Sequence, residues 1–81
     1  MKGGFLMYRF IINHKSGKQT EFPNINRVEY MVAGMEQIVT NEEIGAHKFP
    51  TTSNLYLFAN DCTSSVDSSD VSSITVFKEE S

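Results

Sequence analysis

The chain has 81 residues, of which 40% are hydrophobic, and a formal net charge of -3. That is room for one thinly cored domain, since a chain of about this size hides only some 60% of the surface its unfolded form exposes. The acid excess excludes a general binder of duplex phosphate backbone, which needs clustered Lys and Arg. The single cysteine, Cys62, excludes an internal disulfide or a cysteine-rich zinc site.

Residues 1–81 are read as a single domain. No apolar run approaches the roughly 20 residues that cross a bilayer. Arg9 interrupts the apolar N-terminal stretch, and no small-residue cleavage site follows it, so a secretory signal is not expected. Codons for Lys2-Gly3-Gly4 permit a bacterial ribosome-binding sequence ahead of Met7. Residues 1–6 are therefore expected to be a flexible or untranslated leader.

Tyr8, Phe10 and Ile12 alternate with Arg9 and Ile11, a period of two that predicts a strand over about 7–13 with one buried face. His14-Lys15-Ser16-Gly17 is a turn. A second strand around Thr20 and Phe22 should stop at Pro23, which cannot donate to a ladder.

The segment 24–40 fits two patterns. Val28, Tyr30 and Val32 alternate as in a strand, whereas Ile25, Val28 and Val32 make a helical stripe. β-Branched and aromatic enrichment, with Gly34 midway, favours a hairpin; the alternative is a helix over 25–40 and an α+β fold. Thr40-Asn41-Glu42-Glu43 predicts a short helix near 41–47, with a capping side chain and acids at its positive end. Gly45 and Pro50 limit its length.

Leu55-Tyr56-Leu57-Phe58 is apolar on both faces, as in a central strand covered on two sides or one at a subunit interface. A turn at Asn60-Asp61, a strand over Cys62–Val66, a turn over Asp67–Asp70 and a strand over Ser73–Lys78 complete a C-terminal meander, with 79–81 as a frayed tail. The fold class expected is mainly β: antiparallel hairpins and a meander rolled toward a small barrel or sandwich, with one short helix.

Catalysis by a nucleophile requires an adjacent, oriented base. Cys62, His14 and His47 stand in no such motif. Cys62 reads as a packing residue, His14 as a solvated turn residue, and His47 as an exposed residue at a helix end. Asp61, Asp67 and Asp70 read as turn formers rather than cation ligands, since the acid spacing of a calcium loop is missing. No enzyme activity, cofactor, metal or small-molecule substrate is expected. Arg9, Lys15 and Lys18 on the first hairpin are the candidates for single-stranded nucleic acid, if Tyr8 or Phe10 turn outward to stack bases. The competing reading is a solvated basic rim over core aromatics.

YRFIINHKSGKQTEF at 8–22 resembles the opening hairpin, and SSVDSSDVSSITVFKE at 64–79 the closing strands, of small uncharacterised β-rich proteins of Gram-positive bacteria and their phages and prophages. The resemblance implies a bacterial or phage origin and carries no functional residue with it. The expected function is a small, cytoplasmic, non-enzymatic accessory protein that binds a protein partner or a second copy of itself as a homodimer. A small-barrel binder of single-stranded nucleic acid and a structural oligomer are the alternatives.

Overall fold

The computed structural model describes residues 7–79, so the expected leader and the last two residues of the expected tail lie outside the described residues. In chain order the elements are β1 (Met7–His14), β2 (Gln19–Ile25), β3 (Arg27–Val32), β4 (Met35–Thr40), α1 (Glu42–Ala46), β5 (Leu55–Phe58), β6 (Thr63–Val66) and β7 (Val71–Glu79). They build two antiparallel sheets, a first with strand order β2-β1-β7 and a second with order β4-β3-β5-β6. The mainly-β class is as expected, and among the described residues no closed barrel forms. No helix of the described residues is long and apolar enough to cross a membrane.

Alternation decides which face of each strand is dry. Tyr8, Phe10 and Ile12 of β1 are buried, and they join Val28, Tyr30, Val39, Leu55 and Leu57 of the second sheet in one core. The inner faces of the sheets thus share a single apolar layer. Ile44, the one buried residue of α1, is fully enclosed and adds to it.

The first hairpin turns at Gly17, whose φ of +94° suits a residue without Cβ. His14 N–H donates to the Lys18 carbonyl at 2.8 Å, and Gly17 N–H to that of His14 at 2.9 Å. Contrary to expectation, β2 does not stop at Pro23. Register passes from Phe10 opposite Phe22 to Tyr8 opposite Ile25, so Pro23 and Asn24 together face the single residue Arg9. This is a bulge on an edge strand, where a missing N–H is tolerated. Asn24 takes φ +62° there, and its N–H donates to Glu79 Oε1 at 3.0 Å.

The segment 24–40 is the hairpin. Ala33 and Gly34 both have positive φ, +52° and +80°, which is the two-residue turn whose twist matches its flanking strands. The helical alternative is excluded because Val28 and Tyr30 point inward while Arg27, Glu29 and Met31 alternate outward.

Helix α1 lies where expected, with Glu42 and Glu43 in its first turn, but no side chain caps it. Asn41 adopts φ +54° and uses its backbone instead: its carbonyl accepts from Ile44 N–H at 3.0 Å, and its own N–H donates to the Asn26 carbonyl at 3.3 Å.

Strand β5 is central in the second sheet, yet the chain covers only one of its faces. Leu55 and Leu57 are buried, whereas Tyr56 is 44% exposed. The expected meander also ends early. After β6, a single 3-10 turn at Ser68–Asp70 sends the chain across to the first sheet, where β7 pairs antiparallel with β1. Glu79, expected to fray, is the last residue of β7, and its carboxylate is held by Arg9.

Candidate functional site

The two sheets present opposite outer faces. On the first, Arg9 sits at the centre, with one guanidinium nitrogen 2.6 Å from Glu21 of β2 and another 2.8 Å from Glu79 of β7. The hydrogen bond to Glu21, then that to Glu79, raises the Arg9 pKa further above its already high ordinary value. Further along, Gln19 Nε2 donates to Asn13 Oδ1 at 2.8 Å and Asn13 Nδ2 to Ser73 Oγ at 3.0 Å. Polar side chains therefore bridge all three strands on this face.

On the second sheet the residues that alternate outward are different in kind. Ile38, Glu29, Tyr56 and Ser65 form one row across β4-β3-β5-β6; Thr40, Arg27, Phe58 and Thr63 form the next. Arg27 pairs with Glu29 and lies over the Phe58 ring, 4.7 Å from its centroid. Met31, Ile38 and Tyr56 remain 56%, 53% and 44% exposed. At the hairpin tip Val32 and Met35 are also exposed, but they share the phase of Val28 and Tyr30 and so lie on the opposite side of the sheet. Among the described residues, only Phe77 on β7 is a large exposed hydrophobic outside this group. Met31 and Tyr56 also border a hollow of about 430 Å³ closed by the loop at Thr52-Ser53-Asn54 and by Ser68.

This outer face, with its exposed Met31, Ile38 and Tyr56, is the candidate site. Patches of this kind on a small soluble domain mark contact sites, and Met, Tyr and Arg are the residue types enriched at them. Sequence reasoning did not name these residues as a site. The available signal was Leu55-Tyr56-Leu57-Phe58, apolar on both faces, which pointed to a second covered side or a subunit interface.

The three basic candidates share the first hairpin but not one spot. Arg9 lies five residues before the turn, roughly 17 Å away at the rise of a strand, and is committed to two carboxylates. Lys15 and Lys18 are exposed in the turn. Tyr8 and Phe10 are buried at 4% and 0% exposure, so neither offers a stacking face.

His14 is not simply solvated. Its Nε2 lies 2.7 Å from Thr20 Oγ1, and its Nδ1 is 2.9 Å from Asp70 Oδ2, close enough for an ion pair though not aligned for a hydrogen bond. His47 is the C-cap of α1, and it is half-buried rather than exposed. Its Nε2 meets the Tyr30 hydroxyl at 2.5 Å, and its ring lies 4.7 Å from that of Phe49, which in turn makes an edge contact with Phe10 at 5.2 Å.

Cys62 is exposed, against its expected packing role, because it closes the turn before β6: its carbonyl accepts the Ala59 N–H at 2.9 Å while its side chain points to solvent. Asp67 acts as a turn former, accepting Ser69 N–H at 3.0 Å, and that backbone hydrogen bond lowers its pKa below the ordinary carboxylate value. Among the described residues no three His, Cys, Asp or Glu side chains gather as a metal site would require.

Compared with known proteins, the chain matches no family model, no curated protein and no solved structure.

Proposed function

We propose that this protein is a small non-enzymatic accessory protein that acts by binding a protein partner through the outer face of the second sheet. The observation that carries the reading is the concentration of Met31, Ile38 and Tyr56 on that face. Burying such side chains gains about 25 cal/mol per Å² of apolar surface. Arg27, held against Phe58 by its ring contact and by Glu29, supplies a charged group beside the patch. Resemblance of 8–22 and 64–79 to small phage and bacterial proteins supports a bacterial or phage source. The exposed free thiol of Cys62 supports a reducing, cytoplasmic compartment.

The test is site-specific photo-cross-linking in the native host. A photoreactive phenylalanine at Tyr56 is expected to give one discrete adduct with another protein, and the same probe at Thr75, outward on the first sheet, is expected to give none. No adduct from position 56, or the same adduct from both positions, overturns the reading.

A further inference from the structure

The two sheets have four edge strands, β2 and β7 in the first, β4 and β6 in the second. Unpaired edges invite pairing with another chain, and proteins blunt them. Strand β2 is blunted by Pro23 and the bulge at Asn24. β6 has only four residues, and α1 packs against β4. β7 also meets α1 and has a register shift where Asn13 gives way to His14, but it lacks the proline of β2 and the shortness of β6. It is nine residues long, contains no proline, and keeps regular register with β1 from Ser73 to Glu79. Among the described residues, no strand lies on its other side.

The backbone of β7 has a definite phase. His14 N–H bonds toward β2 and Lys15 N–H toward the β7 side, to the Asp70 carbonyl. Alternation along β1 then directs Phe10 and Ile12 toward β2, and Arg9, Ile11 and Asn13 toward β7. Their partners are Phe77, Thr75 and Ser73. The N–H and C=O groups of Ile74 and Val76 consequently face the open edge.

The side chains of the same two residues point inward and are only half-buried, although they stand opposite the fully buried Ile12 and Phe10. With Gly45, His47, Lys48 and Phe49 they line a groove of about 400 Å³ running beside that edge. Lys48 is on its rim. Lys78 continues the face of Val76, opposite Tyr8, whose ring lies beneath Gly45. In a chain with ten acids and seven Lys and Arg, no carboxylate among the described residues lines this groove.

We infer that β7 docks an extended segment of a partner protein as an added strand, with apolar side chains entering the groove and acidic residues meeting Lys48 and Lys78. The main-chain ladder supplies affinity and the groove supplies selectivity, the division of labour in strand addition. The site is separate from the outer face of the second sheet and does not depend on it.

Binding is read by fluorescence anisotropy with two labelled peptides, one alternating valine and glutamate, the other valine and lysine. The full-length protein is expected to bind the glutamate peptide saturably, less tightly at high salt, and not to bind the lysine peptide. Val76→Pro, which removes an N–H facing the open edge rather than a bond to β1, should abolish binding. Its folding is checked by circular dichroism. Lys48→Glu with Lys78→Glu, both at exposed positions, should weaken the glutamate peptide several-fold and admit the lysine peptide, and this pair decides alone if Val76→Pro does not fold. Tyr56→Ser should change nothing here. Three results overturn the inference: no saturable binding of the glutamate peptide at millimolar concentration, binding indifferent to the charge reversal, or a dimer in sedimentation velocity that Val76→Pro dissociates, which would assign the edge to a second copy.

Discussion

The outer faces of the two sheets differ more than their inner faces do. Inside, Phe10 and Ile12 of the first sheet meet Val28 and Leu57 of the second in one apolar layer. Outside, the first sheet spends its alternate positions on a bridge from Glu21 through Arg9 to Glu79, and the second on Met31, Ile38 and Tyr56. A network of solvated charges is costly to bury, and the second face, which carries the Arg27–Glu29 pair beside its exposed apolar side chains, has less to lose by being covered. The contrast teaches that the two sheets, alike inside, are finished differently outside: one in bridged charges, the other in exposed apolar side chains.

If the inner faces are equivalent, breaking either should hurt alike. Phe10→Ala is expected to cost about 3–5 kcal/mol and Leu57→Ala about 2–5 kcal/mol, since each leaves a cavity in a fully buried position. Urea unfolding would show both. A large loss from one and little from the other would mean that one sheet carries the core. Gly34→Val should follow with about 1–2 kcal/mol, because a side chain at φ +80° is strained. It should also reduce cross-linking from position 56, as the turn sets the register that places Met31 and Ile38 on the outer face.

These expectations rest on features that the sequence exposes unevenly. Alternation in Tyr8–Ile12 and the turn at Gly17 are local, so the first hairpin is legible from neighbouring residues alone. In 24–40 a helical stripe competes, and β-branched enrichment with Gly34 only tips the balance to the second hairpin. The bulge at Pro23-Asn24 is not legible, because it is permitted by β2 lying at an edge, and edge position is a property of the whole sheet. The crossing of β7 to pair with β1 joins residues some 60–70 positions apart, and no local pattern encodes that choice over pairing with β6. The same distance hid the partners of Arg9: Glu79 looked like a fraying end until β7 brought it beside the guanidinium. Cys62 misled because a small apolar residue next to a strand usually packs, while here its carbonyl is needed for the turn.

Smaller effects separate the outer faces directly. Arg9→Ala should lower the urea midpoint slightly at low salt and leave it unchanged at high salt, because solvated pairs are screened. Met31→Ser should stay within about 0.5 kcal/mol of the parent protein, yet reduce binding of a hydrophobic dye. Dye binding that falls equally for Phe77→Ser on the first sheet would dissolve the contrast.

The smallest effect lies where the chain passes from one outer face to the other. Asp67 ends the second sheet's last strand and caps the turn that launches β7, and its hydrogen bond from Ser69 N–H holds its pKa below the ordinary carboxylate value. A depressed folded-state pKa means that the stabilisation is complete above the unfolded value, near about 4, and disappears as pH falls through the lower, folded one. Asp67→Ala should therefore unfold at a slightly lower temperature than the parent at neutral pH, with the gap closing only in strong acid. A gap that persists there would mean that the aspartate side chain holds the crossing by shape rather than by charge, and the join between the two sheets would then be indifferent to pH.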